Sequence, residues 1–436
     1  MVYDFLELVQ FASKHSKYYH DIYNEKKILD KIESGNFLIS DLPIVKQADF
    51  WKYNSIKDNN LLTADIAASG GIVFKSGGTT GNPKFSVYTK DEWETFTAEF
   101  SKGIDQIGLD DGDRVANIFY SGSLYASFVF IMKSLEKSKI NILHFPITGQ
   151  CSAHDTIKII KEFSINVIVG VPTTILTLLE FANEINEIRN MPITKIFFGG
   201  ESMFLDQRER IKSFFPKIYI SSIGYASVDG GHLGFVAKNM AYNEHFCFNE
   251  SSIMEIIDEE SGMPIETTGK SGKLVYSNLT RKLMPIIRYP VGDNAVWISV
   301  NKKFKLLGRS EEGARVGPVT VNIDDINNVI KTVSSNYSNT NYNINIINKQ
   351  LLLEHISGKD LLTVRLAVSD LSSINLKEIN AIEQIFTEVF YKERPMFKEE
   401  VAKGTIMNIT FKIVSFDQIE KNERTGKLKI ILDRRL

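Results

Sequence analysis

Apolar and polar positions follow two different rhythms along this chain. From residue 115 to 221, short apolar runs of strand length alternate with amphipathic stretches of helix length. Residues 115–119, 141–144, 167–171, 195–198 and 218–221 read as strands, with 124–133, 154–163, 172–182 and 206–215 as the helices between and after them. Such a βαβ alternation predicts a mostly parallel sheet with helices packed on it. From residue 246 onward the pattern turns strand-rich. Runs at 252–257, 273–276, 295–298 and 303–307 are separated by turns such as Glu260-Ser261-Gly262 and Lys270-Ser271-Gly272, which predicts a smaller antiparallel subdomain.

The two ends have their own texture. The first 60 or so residues read as helices rich in Lys and Tyr, with a loop at Leu42-Pro43. Beyond Gly308-Arg309-Ser310 the segment 334–348 is rich in Asn and Ser and is expected to hold an exposed loop, while 361–369 and 408–415 read as strands around a helix at 376–391. The expected architecture is an α/β, multi-layer large N-terminal domain over 1–308, with a β-rich subdomain near 246–308, and a small α+β C-terminal domain over 309–436. A length of 436 residues suits several domains or subdomains.

Composition narrows the function classes. Hydrophobic residues make up 43% and charged residues 24%, as in soluble globular proteins. With 51 basic and 53 acidic residues there is no electrostatic footprint for nucleic acid or a membrane surface. The two cysteines, Cys151 and Cys247, form no CxxC, and the histidines show no HExxH spacing, so neither a disulfide scaffold nor a cysteine-based zinc site is expected. The N-terminus has an early acid and no basic leader, and no apolar run reaches the roughly 18 residues of a spanning helix. A cytoplasmic enzyme without a membrane or nucleic-acid partner, monomeric or homodimeric, is the expectation.

The chemistry concentrates in a loop. A short apolar run at 71–74 leads into Ser76-Gly77-Gly78-Thr79-Thr80-Gly81-Asn82-Pro83-Lys84, and an alternating, strand-like run follows at 85–89. Glycines let backbone N–H groups face an anion without Cβ clashes, and hydroxyls and a lysine add donors and charge. The loop is not a Walker A sequence, because Pro83 precedes the lysine and no helix pattern follows. A plain Gly/Thr turn between two strands would share its composition but not its order.

That order resembles the signature loop of the adenylate-forming superfamily, which includes acyl- and aryl-CoA ligases, adenylation domains and luciferases. Further segments, in matching order, resemble its phenylacetate–CoA ligase-like branch over nearly the full length: Leu42-Pro43 to Lys46, Gly108-Leu109 to Val115, Phe198-Gly199-Gly200-Glu201, Gly224-Tyr225-Ala226-Ser227-Val228-Asp229, Met284-Pro285 to Gly292-Asp293, Gly308-Arg309-Ser310-Glu311 and Arg424-Thr425-Gly426-Lys427. The resemblance implies ATP-dependent activation of a carboxylic acid as its acyl-adenylate. It implies phosphate binding by the loop from Ser76 to Lys84 and Mg²⁺ binding by Asp229. Gly199, Gly200, Glu201, Gly224, Tyr225, Ala226 and Ser227 would surround the base. Asp293 would hold the ribose, Arg309 would contact the nucleotide, and Glu311 would sit at the hinge of a mobile C-terminal lid carrying the catalytic Lys427.

Two departures bear on the later steps. Val228 stands where relatives carry a threonine, and Asp229 is one methylene shorter than the usual glutamate. After the hinge, Gly317-Pro318 replaces an Arg-Gly pair on a loop that lines the thiol tunnel in relatives; proline lacks an N–H and fixes φ. Coenzyme A, an acyl or aryl carrier protein, and an amine therefore all stand as acceptors, and a non-catalytic nucleotide-binding relative remains a minor alternative. Aromatic residues near 120–125 and 197–200 suggest an aryl or medium-sized apolar acid, with no cationic residue standing out among them.

Overall fold

The computed structural model describes residues 1–52, 55, 59–66, 70–75, 84–200, 203, 205–259, 261–309, 313–321, 323–336, 344, 346–368, 371, 374–420 and 430–435. It is an α/β protein with several sheets, and its contacts divide it into two units, the second made of the chain from Gly308 onward together with the short segments Thr79–Asn82 and Phe204–Gln207.

The first unit is organised by a five-stranded parallel sheet in the order Leu143–Pro146, Arg114–Asn117, Val167–Gly170, Lys195–Phe198, Tyr219–Ser222. The register runs from Val115 to Val167, from Val167 to Lys195 and from Lys195 to Tyr219. Side chains alternate across the pleat, so neighbouring strand residues serve different cores. Val115, Val167, Val169 and Phe197 join one core with Phe96, Phe100 and Phe130. Ala116, Ile168, Ile196 and Phe198 join the other with Ile157, Ile160, Leu178 and Ile211. All four residues of the central strand Val167–Gly170 are buried, which explains its uninterrupted apolar run.

The helix Lys90–Ile104 starts in a capping box. Thr89 Oγ1 accepts from the Glu92 N–H at 3.1 Å, and Glu92 Oε2 accepts from the Thr89 N–H at 2.9 Å. The other oxygen of the buried Glu92 accepts the N–H groups of Lys282 and Leu283 at 2.6 and 2.7 Å. One carboxylate thus starts a helix and fixes the approach to the second sheet.

That second sheet is antiparallel, in the order Glu244–Phe246, Lys303–Arg309, Ile286–Ser299, Ser271–Asn278, Ser252–Ile257. The sequence pattern shows 273–276 and 295–298 as separate short runs. The strands extend to Ser271–Asn278 and Ile286–Ser299, and their pairing carries register shifts that interrupt the alternation. The N-terminal helices Phe5–His15, Lys17–Glu25 and Leu29–Glu33 cover this sheet, burying Leu8, Val9, Tyr19, Tyr23 and Ile32 against Tyr276, Ile286, Tyr289 and Trp297. The chain after them follows the long strand closely. The Val45 N–H donates to the Arg288 carbonyl at 3.1 Å, and the Tyr19 hydroxyl bridges the Pro285 carbonyl and the Ile287 N–H at 3.1 and 3.0 Å. Arg288 lies buried beside Glu255, with Nε and Nη2 each 3.0 Å from a carboxylate oxygen. Burial pushes the Glu255 carboxyl up, although Arg288 draws it the other way.

The second unit has its own core beneath a mixed sheet ordered Thr410–Ser415, Lys359–Val368, Ile346–Ile356, Ile431–Asp433. The two middle strands form a hairpin turned by Ser357 and Gly358, and the outer strands pair with them in parallel. The helices Ile323–Asn336, Leu376–Glu393 and Pro395–Ala402 supply Ile326, Val329, Phe386, Phe390 and Phe397 to that core. The segment 334–348 begins in the helix Ile323–Asn336 and ends in the strand Ile346–Ile356; the loop expected within it falls on 337–343 and 345, which lie outside the described residues. Gly317 and Pro318 turn a small hairpin between Ala314–Val316 and Val319–Val321. Gly317 has φ +51°, and a Cβ there would stand 2.6 Å from Ile406 Cγ2, so glycine is the residue this turn accommodates.

Candidate active site

The site candidates of the first unit gather where the parallel strands end. Gly199 and Gly200 follow the strand Lys195–Phe198, and Gly224 to Asp229 follow Tyr219–Ser222. Crevices beyond the carboxyl ends of parallel strands are the usual ligand sites of open α/β sheets. Gly224 has φ +129°, and a Cβ would meet the Phe100 ring at 2.8 Å, so a larger residue would push the Tyr225 turn off the core.

Two aspartates mark two ends of this region. The Tyr225 hydroxyl donates to Asp293, and the Tyr225 ring packs near His245 and Phe304 at centroid distances of 5.6 and 6.3 Å. Asp229 Oδ2 accepts from the Tyr289 hydroxyl at 2.8 Å and lies 3.6 Å from the Lys84 ammonium. Burial opposes the charge of Asp229, but Lys84 and the hydroxyls of Tyr289 and Ser227 more than offset it and hold the carboxyl below its ordinary value. The Asp229 backbone is fixed as well. Buried Arg281 donates to the Asp229 carbonyl at 2.8 Å and to the Val87 carbonyl at 3.0 Å, with its guanidinium 4.1 Å from the Tyr88 ring centroid. The Tyr88 hydroxyl donates to the Val228 carbonyl at 2.8 Å. Val228 itself packs against the aromatic core of Phe96, Phe100 and Phe130, which gives the valine at this position an apolar role.

Lys84 is the described end of the glycine-rich loop. Its ammonium donates to Gln47 Oε1 at 2.8 Å and stands 5.5 Å from the Trp51 ring centroid. Gln47 Nε2 donates to the Pro290 carbonyl at 2.6 Å, and Trp51 Nε1 donates to the Tyr289 hydroxyl at 3.0 Å. The strands Ile72–Lys75 and Phe85–Tyr88 on either side of the loop pair antiparallel, Lys75 opposite Phe85, so the chain leaves and re-enters at one place. Residues 76–83, which include Ser76, Gly77, Gly78, Thr79, Thr80 and Gly81, lie outside the described residues, as do Glu201, Glu311 and Lys427. For Arg309 the backbone strand is described and the side chain is not.

A lone carboxylate such as Asp229 fits magnesium, which takes one or two carboxylates and completes its shell with phosphate oxygens and water. Among the described residues no group of three or more His, Cys, Asp and Glu could hold a metal by itself.

Several neighbours carry no motif signal. Gln47, Trp51 and Arg281 reach the candidate residues only through the fold. Arg208 is another. It stacks between Phe198 and Tyr242, its guanidinium carbon 5.1 and 4.8 Å from the ring centroids, and its Nε donates to the Met203 carbonyl at 3.2 Å. A cation therefore does stand beside the strand end at Phe198, where the sequence pattern showed only aromatic residues. Tyr289 had one available clue, its place between Arg288 and Asp293 in a matching segment.

No family model matches the chain. It is 26% identical over 251 residues to a phenylacetate-coenzyme A ligase of Aromatoleum evansii, covering 55% of this chain and 54% of that protein. It is 21% identical over 320 residues to a phenylacetate-coenzyme A ligase of Thermus thermophilus, covering 73% and 68%. It is 24% identical over 377 residues to the indoleacetate–lysine synthetase of Pseudomonas savastanoi, covering 82% and 83%. The match thus spans about half the length of the Aromatoleum ligase and more of the other two. Among solved structures, 2-hydroxyisobutyryl-CoA ligase with 2-HIB-AMP and CoA in the thioesterification state superposes with a TM-score of 0.70 at 15% identity, covering 98% of this chain and 88% of that one. The same ligase in the postadenylation state gives 0.61 at 15% identity, covering 99% and 89%. This chain has the fold of those ligases.

Proposed function

We propose that this chain, a member of the adenylate-forming superfamily on its phenylacetate–CoA ligase-like branch, activates a carboxylic acid with ATP and passes the acyl group to coenzyme A. The observation that carries the reading is the meeting of Lys84 and Asp229 at the carboxyl ends of a parallel sheet, with the Tyr225–Asp293 pair in the same unit.

The carboxylate oxygen attacks the α-phosphorus, the bond to the bridging oxygen breaks, and pyrophosphate leaves with its electron pair. The thiol sulfur then attacks the acyl carbon, AMP departs, and the thiol proton is lost to solvent. Charge grows on phosphoryl oxygens in the first step, so donors and cations carry the catalysis. The loop from Ser76 to Gly81 supplies backbone N–H groups and hydroxyls to the β- and γ-phosphates, and Lys84 adds a charge. Asp229 would hold Mg²⁺, which neutralises the leaving pyrophosphate. Gly199, Gly200, Glu201, Gly224, Ala226 and Ser227 border the base, with Tyr225 as its stacking platform. Asp293 accepts from the ribose hydroxyls, and Arg309 contacts the nucleotide. Residues 1–308 act as the adenylation domain and 309–436 as a lid that pivots at Glu311 and brings Lys427 to the α-phosphate. ATP and coenzyme A as substrates and two cysteines without a disulfide suit the cytoplasm.

Acid-dependent ATP–pyrophosphate exchange tests the reading. Exchange stimulated by at least one member of a broad acid panel supports it; folded protein with Mg²⁺ that exchanges with none refutes it. Lys427→Ala should lower exchange by about 10²-fold or more while ATP still binds.

A second reading keeps the first half-reaction and delivers the acyl group to an amine. It is favoured by the relative matched over most of both chains, an indoleacetate–lysine synthetase, and by the proline in the 317–318 turn. The product mass formed with coenzyme A, or with lysine in its place, decides between the two.

A further inference from the structure

The residues that resemble a known signature are only part of what holds the Lys84–Asp229 end in place. The N-terminal segment following Lys46 supplies the rest. Its short helix Gln47–Phe50 lies beside the strand Ile286–Ser299, and two side chains leave this segment toward the site.

Gln47 uses both ends of its amide. Its N–H donates to the Pro290 carbonyl at 2.6 Å, which orients the group, and its oxygen accepts from the Lys84 ammonium at 2.8 Å. Pro290 removes a donor from the strand but leaves a carbonyl, and that carbonyl is the one Gln47 takes. Trp51 donates from Nε1 to the Tyr289 hydroxyl at 3.0 Å, and this same hydroxyl donates to Asp229 at 2.8 Å. A phenol that accepts from an indole is committed to giving its own proton to the carboxylate, so the direction of the chain is fixed. The Trp51 ring also lies 5.5 Å from the Lys84 ammonium, within reach of a cation–π attraction.

We propose that Gln47 and Trp51 are positioning residues of the nucleotide site: Gln47 holds the Lys84 ammonium, and Trp51 orients the Tyr289 hydroxyl that orients Asp229. The proposal deepens the adenylation reading above and rests on it for the ligand, a nucleoside triphosphate. Both act through the residues they hold. Gln47 sets where the cation waits, and Trp51 sets which way the acid faces. The N-terminal segment, separated by 37 residues from Lys84 and by 238 from Tyr289, is thereby a component of the site as well as a cover for a sheet.

The test is a double-mutant cycle on the full-length protein with two readouts. Trp93 and Trp297 are buried in separate cores, so the ligand-free tryptophan emission that changes with the state of Lys84 belongs to Trp51. Gln47→Met and Lys84→Met should each shift that emission, and the double variant should match Lys84→Met alone. In the second readout, ATP titrated by calorimetry should bind roughly tenfold more weakly to Gln47→Met, the loss of one charge-assisted hydrogen bond. Adding Gln47→Met to Lys84→Met should then cost nothing further. Gln47→Glu separates scaffold from positioning: it keeps the acceptor for Lys84 and loses the donor to Pro290, so its emission should resemble wild type even if its melting temperature falls. Additive effects on ATP affinity, or an emission insensitive to both single variants, would overturn the proposal. Wild-type protein that binds no ATP would overturn the adenylation reading instead, and the emission cycle, which needs no ligand, would still decide the positioning.

Discussion

The two candidate site aspartates, Asp229 and Asp293, are held differently. Asp293 meets Tyr225 through one hydroxyl. Asp229 is approached by Lys84 and Tyr289, which are themselves held by Gln47 and Trp51, while Arg281 fixes its backbone. The partners of Asp229 form a network drawn from widely separated segments. The difference matches the chemistry proposed for each end. A sugar hydroxyl is neutral and adjustable, so one acceptor suffices. A polyphosphate and its cation develop charge during reaction, and there preorganised groups are worth most.

Substitutions can break this contrast in order of size. Asp229→Asn should have the largest effect, lowering adenylation by about 10²-fold or more in the exchange assay. If Asp293→Asn costs more than Asp229→Asn, the ranking of the two ends is wrong. Tyr289→Phe removes the proton given to Asp229 and should lower exchange roughly tenfold. Combined with Trp51→Phe it should cost no more than by itself, because the indole acts through that hydroxyl. Tyr225→Phe keeps the ring and loses the hydroxyl that donates to Asp293, so ATP affinity should fall just a few-fold, about 0.5–1 kcal/mol in titration.

The last effect is on stability rather than on activity. His232 and His245 sit in the core, where burial lowers their pKa to about 3 and about 4. In the unfolded chain they take up protons near pH 6.5. As pH falls from 6.5 toward 4, the unfolded state therefore binds protons that the native state refuses, and stability is lost. Each histidine contributes a slope of about 1.4 kcal/mol per pH unit across that window. Urea unfolding at several pH values should show it, and His245→Phe should remove one histidine's share without moving exchange activity at pH 7.5 by more than about twofold, since a core ring replaces a core ring.

How much of this was legible beforehand follows from the range of the contacts. The parallel sheet could be read where its strands are local apolar runs: Lys195–Phe198 appears at its predicted bounds and Val167–Gly170 ends one residue earlier, whereas Leu143–Pro146 lies two residues beyond the run read at 141–144. The strand Ile346–Ile356 was missed because Asn348, Lys349 and Gln350 interrupt its alternation and an Asn-rich stretch precedes it. Gln47 and Trp51 were invisible for a different reason. A glutamine at the start of a short helix and a tryptophan just after its end carry no local chemical signal, and they gain one only when residues some 240 positions later fold against them. The pairing of Tyr225 with Asp293, 68 residues apart, joins two segments whose order matched but whose contact no spacing rule supplies.

That dependence has a consequence for biosynthesis. The aromatic face made by Tyr19, Tyr23 and Phe50 packs against strands such as Ile286–Ser299, and the Tyr19 hydroxyl meets Ile287 across 268 residues. At cellular elongation speeds, translating that interval takes on the order of 10–50 s. For that time the nascent chain carries a sticky, unpaired aromatic surface near its start, while the parallel sheet between can already close. The protein's yield should therefore respond to chaperone supply and translation speed more strongly than its final stability would suggest.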